Sequence, residues 1–206
     1  MDAPNAVQRI VAIVLIVVGV SFPVFAGPVH IYSAEFDLPI PANPDDTKGW
    51  MADAIIEIPH HFTIHDLDVR INITHTSVFD LQIFLQSPAG TRLCLNMYNP
   101  FDEYFVGANY TQTIFDDEAE TAIEVAEPPF TGRFRPKAID AANLLEIFDG
   151  QDSYGLWRLQ IYDAFYWDTG NLDSFELMIT VPEPATAILL LLGTALITLL
   201  NPRRRI

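Results

Sequence analysis

Cysteine is almost missing from this chain. The single thiol, Cys94, excludes an intramolecular disulfide and a thiolate zinc cluster. It stands in Arg92-Leu93-Cys94-Leu95, which reads as a strand, where a thiol is buried and inert. Cations are scarce as well: 11 Lys and Arg face 27 Asp and Glu. Four of those cations and only two of the acids lie outside residues 27–182, so the body carries a formal charge of −18. Such a body repels nucleic acid, whose binding needs cationic side chains to release counterions. It suits divalent cations or basic partners, or it simply keeps a surface domain soluble. Motif patterns are missing too. There is no His-Glu-x-x-His, no Asp-x-Asp-x-Asp-Gly calcium loop and no Gly-x-Ser-x-Gly elbow. No internal repeat and no low-complexity segment interrupts the body.

What the chain does have is two apolar ends. At the N-terminus, Arg9 precedes an apolar run over Ile10–Phe25, and Val24-Phe25-Ala26 offers small residues for signal peptidase. Residues 1–26 are therefore expected to be a signal peptide, cleaved after Ala26. An uncleaved anchor is the competing reading, against which Pro23 and the shortness of the run argue. At the other end, Pro182-Glu183-Pro184 leads into 16 apolar residues, Ala185–Leu200, and then Arg203, Arg204 and Arg205. At 1.5 Å per residue that run spans about 24 Å, a little short of a bilayer core. The arginines would hold their end in the cytoplasm, leaving the body outside. This order of proline-flanked glutamate, apolar helix and basic end resembles the PEP-CTERM sorting signal of Gram-negative bacteria. The resemblance covers residues 182–206. It implies processing by an exosortase and a place at the cell surface or outer envelope, near exopolysaccharide. An ordinary single-pass anchor is the alternative.

Between the ends remain about 155 residues, enough for one domain with its own core. Residues 27–49 read as an irregular N-terminal segment, interrupted by Pro28, Pro39, Pro41 and Pro44, with a first edge strand over Val29–Phe36. From residue 50 to 181 alternation dominates. Leu67, Val69, Ile71 and Ile73 face one way, as do Leu81, Ile83 and Leu85. Trp157, Leu159 and Ile161 follow the same period, as do Phe175, Leu177, Ile179 and Val181. Period two with polar partners marks half-buried strands. Turn residues separate the runs at 87–91, 149–152 and 168–171. Only Lys137–Phe148 looks helical. Many short strands without a βαβ rhythm predict an all-β fold of two packed antiparallel sheets, flanked by the two terminal apolar helices.

Several segments of this body resemble the P domain (P/Homo B domain) of proprotein convertases and bacterial proteases. They are Ile73-Thr74-His75-Thr76, Phe79-Asp80-Leu81 and Leu85-Gln86-Ser87-Pro88-Ala89-Gly90-Thr91. Thr113 to Ala119 and Pro129 to Pro136 continue the series. Phe148-Asp149-Gly150, Gly155 to Leu159 and Asp163 to Phe175 complete it in the family's order. The resemblance implies an eight-stranded jelly-roll sandwich. Phe79 stands where the family has Gly, and Phe175 where it has Trp. The peptidase domain that P domains normally follow is not in this chain.

Four groups of residues are candidates for chemistry. Asp116, Asp117, Glu118 and Glu120 form one acidic loop. Asp163, Asp168, Asn171 and Asp173 flank another. Calcium takes six to eight oxygen ligands, which flexible loops supply, so both loops together are a candidate calcium site. The resemblance supports it, since related domains bind calcium at such loops. Solvated turns are the plain alternative. His60, His61, His65 and His75 could gather for zinc, though packing histidines are the plainer reading. His75, Asp80 and a serine such as Ser87, Ser153 or Ser174 could be drawn as a triad, but no spacing requires it. Phe165-Tyr166-Trp167 are three consecutive aromatics in a loop, suited to stacking on sugars or gripping a partner if exposed.

These observations point to an exported, non-catalytic surface module that binds a partner or matrix component. Two alternatives stand beside it. One is an accessory domain serving a subtilisin-like serine peptidase in trans. The other is a carbohydrate-binding module of an exopolysaccharide matrix.

Overall fold

The computed structural model describes residues 27–43, 48–97, 107–137, 144–182 and 193. Both expected apolar helices, the signal run and the tail run, lie outside these residues apart from Gly193. Among the described residues no helix is long and apolar enough to cross a membrane.

The described residues form ten strands: β1 (Val29–Ile40), β2 (Gly49–Trp50), β3 (Ala54–Ile58), β4 (Asp66–His75), β5 (Leu81–Gln86), β6 (Arg92–Asn96), β7 (Tyr110–Phe115), β8 (Phe130–Phe134), β9 (Gly155–Asp163) and β10 (Gly170–Thr180). They make two sheets. The first runs β1-β10-β4-β7-β8; the second runs β2-β9-β5-β6, with β3 also on β9. The alternating apolar residues of each sheet meet in one core. Val69, Ile71, Leu85, Trp157, Leu159, Ile161, Phe175 and Leu177 are all sealed from solvent. Period two in the sequence thus became a face in the structure, because successive side chains of a strand point to opposite sides. A 3-10 turn at Leu145–Phe148 closes one end of the sandwich, its Phe148 ring lying edge-on to Trp157.

Three expectations need correction. The first edge strand, expected over Val29–Phe36, is longer: β1 runs to Ile40 and pairs along β10. Its one proline, Pro39, is tolerated because β1 is an edge strand, where a missing N–H leaves no ladder partner unpaired. The sheets are not wholly antiparallel, since β7 and β8 pair in parallel. The helix expected over Lys137–Phe148 is, in its described part, only the four-residue 3-10 turn.

The two departures from the P-domain pattern both serve packing. Phe175 is buried in the core. Phe79 packs against the core with its ring edge-on to Phe130. Cys94 is buried, its Sγ 3.2 Å from the Asn96 carbonyl oxygen, and burial pushes its thiol up to about 11. It is therefore almost wholly protonated at neutral pH and a poor nucleophile.

Candidate functional site

β9 ends at Asp163 and β10 begins at Gly170, so residues 164–169 cross between the two sheets at one end of the sandwich. Both ends of this loop are tied down. Asp163 is sealed from solvent, and its Oδ1 accepts a hydrogen bond from the Phe165 N–H at 3.1 Å. The Ala164 N–H donates to the Asp80 carbonyl oxygen at 2.9 Å. At the far end Thr76 donates its hydroxyl proton to Asp168 at 2.6 Å and accepts from the Thr169 N–H at 3.2 Å. Short polar side chains bonded to nearby backbone are what hold a turn in one shape.

What the ties leave free is aromatic. Trp167 is 85% exposed and Tyr166 43% exposed, while Phe165 is half-buried. Their ring centroids stand 5.9 to 6.3 Å apart. Trp167 sits at φ +78°, a region that a bulky side chain adopts only when its surroundings impose it. The Lys48 ammonium lies 4.6 Å from the Tyr166 ring centroid. Trp50, 49% exposed, packs at 5.0 Å on Tyr162 in the adjoining strand. Trp50 and Lys48 escaped the sequence reading because β2 is two residues long and shows no period. The expected trio Phe165, Tyr166 and Trp167 is thus brought together and presented outward.

Beneath the loop, His75 and Asp163 are fully enclosed, with His75 Nε2 facing Asp163 Oδ2 at 3.4 Å. Neither atom has a hydrogen-bond partner among the described residues. His75 Nδ1 lies 2.7 Å from the Ser77 carbonyl oxygen. Asp163 through its carboxylate and Asp80 through its carbonyl oxygen hold the start of the loop, above the enclosed His75.

The two acidic loops, which the calcium reading drew together, do not meet. β7 runs antiparallel to β4, so Asp116 emerges beside Asp68, at the start of β4. Asp163 stands beside His75, at its end. Seven residues of strand separate those two positions, about 23 Å. The acids are also committed elsewhere. Asp116 accepts from Arg133 at 2.6 Å and from the Glu118 N–H at 2.8 Å. Asp117 accepts from the Glu146 N–H, and Asn171 donates to Asp37. Among the described residues no group of three or more His, Cys, Asp or Glu is placed to hold a metal ion. Nor do the histidines gather: His61 pairs with Asp152, His60 with the Tyr32 hydroxyl, and His75 is buried at the other end.

Burial does act on the acids. It pushes the Asp80 and Asp68 carboxyls up to about 6, and, with Asp116 beside it, Glu118 up to about 7. Unfolded, these groups titrate near roughly 4. Between about pH 4 and 6 the folded protein therefore binds more protons than the unfolded chain, and stability falls as pH rises through that window. Asp116 acts the opposite way: its bonds to Arg133 and the Glu118 N–H outweigh burial and lower it, so its contribution is lost only in stronger acid. The thermal midpoint is expected to be higher at pH 5 than at pH 7.5, and Asp80→Asn is expected to reduce that difference. A midpoint that rises steadily to pH 7.5 would contradict the assignment.

The comparisons with known proteins agree with this architecture. A family model described as the proprotein convertase P-domain matches residues 64–179, more than half of the chain. The chain belongs to the proprotein convertase P-domain family. A PEP-CTERM protein-sorting motif follows directly at residues 180–205. Of its Pro182-Glu183-Pro184 start, Pro182 is exposed at the end of the domain, and Glu183 and Pro184 lie outside the described residues. No curated protein matches the chain. Two of the solved structures similar to it are serine protease structures of Aeromonas sobria. One is a serine protease of Aeromonas sobria, with TM-score 0.42, 18% identity, and coverage of 75% of this chain and 27% of that one. The other is the Aeromonas sobria serine protease (ASP) in complex with the chaperone (ORF2), with TM-score 0.43, 18% identity and coverage of 77% and 28%. The chain thus spans just over a quarter of the length of each.

Proposed function

We propose that this P domain is an exported, non-catalytic binding module of the bacterial cell surface. On this reading a jelly-roll sandwich, sorted through its tail by an exosortase, grips a matrix component with the loop Phe165-Tyr166-Trp167. The observation that carries the proposal is Trp167, 85% exposed at a left-handed backbone angle, on a loop tied at both ends. An exposed indole held rigid loses little conformational entropy on binding, and its face suits a sugar ring or an apolar partner surface. The charge of the body argues for a neutral or basic ligand.

The test is co-sedimentation of the full chain with matrix polysaccharide extracted from the cell surface. Trp167→Ala is expected to lower retention about tenfold or more, a loss of the order found for a binding hot spot. Unchanged retention would sink the reading. The second reading, a domain assisting a subtilisin-like peptidase in trans, is supported by the family itself. It predicts capture and stabilisation of such a peptidase by the full chain, unaffected by added polysaccharide.

A further inference from the structure

The outer face of the first sheet holds a groove of about 430 Å³, away from the aromatic loop. Two rungs across the sheet build it. In one, Ser33 on β1 pairs with Glu176 on β10, which pairs with Arg70 on β4. In the next, Glu35 pairs with Ser174, which pairs with Asn72. At this level the ladders lose register: β1 against β10 between Glu35 and Leu38, β10 against β4 between Leu172 and Ser174, and β4 against β7 between Ile71 and Ile73. Neighbouring bulges bend strands together, and here they dish the sheet. Gln112, on the bulged part of β7, stands at φ +50°. Strain of that kind in a non-glycine residue is kept where the surroundings impose it, and it clusters at binding sites.

The floor of the groove is a fixed polar relay. Asn72 donates to the Ser174 hydroxyl oxygen at 2.6 Å and accepts from the Gln112 backbone N–H at 2.6 Å and side-chain amide at 3.1 Å. Three strands are thereby locked into one array before any ligand arrives. Arg70 binds Glu176 through Nη1 at 2.6 Å, yet its Nε is enclosed without a partner among the described residues. Around this floor Glu35, Asp173 and Glu176 outnumber the one arginine, so the groove is net negative. Phe175, beneath it, is sealed in the core and offers no apolar pocket.

We propose that this groove binds a neutral or cationic oligosaccharide. Sugar hydroxyls both donate and accept, which matches a wall of mixed amide, hydroxyl, carboxylate and guanidinium groups. A peptide side chain would ask for an apolar pocket, and a uronate polymer would be repelled by the three carboxylates. The volume lies in the range of small-molecule sites. The site shares no residue with the loop at 165–167, so the two readings fail separately.

The experiment is isothermal titration of the full chain, its apolar tail held in detergent, with three probes of equal length. These are a β-1,4-glucosamine oligomer, its N-acetylated form and a uronate oligomer. Both amino-sugar oligomers are expected to bind, the free amine more tightly, and the uronate not at all. Glu35→Gln, on the edge strand, is expected to remove the preference for the free amine. Asn72→Ala is expected to weaken both about tenfold or more. If neither amino-sugar oligomer binds, or if each binds normally melting Glu35→Gln and Asn72→Ala protein as tightly as it binds the unaltered chain, the proposal is overturned. Binding of a lysine-rich peptide in place of the sugars would overturn it too, and make the groove a protein contact.

Discussion

Trp157→Ala is expected to cost the domain about 3–5 kcal/mol, the range for removing a large buried aromatic. The ring is sealed in the core on β9 and lies 5.4 Å from Phe148. Its Nε1–H donates to the Ser153 carbonyl oxygen at 2.9 Å. Truncation therefore opens a cavity and strands a buried acceptor at once. Trp157→Phe separates the two effects, since it keeps most of the volume and loses only the donor; it is expected to cost about 1–3 kcal/mol. Urea melts followed by near-ultraviolet circular dichroism would measure both. Against a total stability of about 5–15 kcal/mol, the alanine variant should be folded only marginally. Equal costs for the two variants would mean that the hydrogen bond, not the packing, dominates.

Gly170→Ala is the second large effect. Gly170 begins β10 and pairs with His75 at the end of β4. A Cβ there would overlap the Thr74 carbonyl oxygen, the His75 ring and the His75 Cα. Two of those three are backbone in a central strand, which cannot swing aside as a side-chain tip can. The cost is expected at or above the usual 1–3 kcal/mol of overpacking, about 3 kcal/mol. Its direction also matters for function, because β10 would have to move away from β4 just where the aromatic loop is tied. Retention on matrix polysaccharide should fall even at temperatures where the variant remains folded. A variant that melts normally and binds normally would show that this contact relaxes freely.

Period two made most of the core legible. Every apolar residue of β4, β5, β9 and β10 that the alternation assigned inward is buried, apart from the half-buried Val181 that follows β10. The exposed loop at 165–167 was legible for a different reason: three aromatics beside turn residues lie outside any period. Two things could not be read in this way. The separation of Asp116 from Asp163 depends on the direction in which β7 and β9 meet β4, and sequence spacing carries no information on direction. The groove depends on bulges, where one extra residue breaks the period locally. Asn72, Ser174 and Gln112 look like ordinary outward polar residues until the strands are placed side by side.

The first and last strands carry one more consequence. β1 and β10 lie side by side, Val29 opposite Thr180, with the Val181 N–H bonded to the Pro28 carbonyl oxygen at 3.1 Å. The chain therefore enters and leaves the domain at the same point. The aromatic loop stands at the far end of β10, 11 residues or about 36 Å away. Any pull applied at Trp167 and resisted at Pro182 runs along the axis of that one strand. It loads the hydrogen bonds to β1 and β4 in shear, all together, rather than peeling them one by one. β10 is thus the mechanical spine of the molecule, and the force that a tether would feel is shared by two ladders at once.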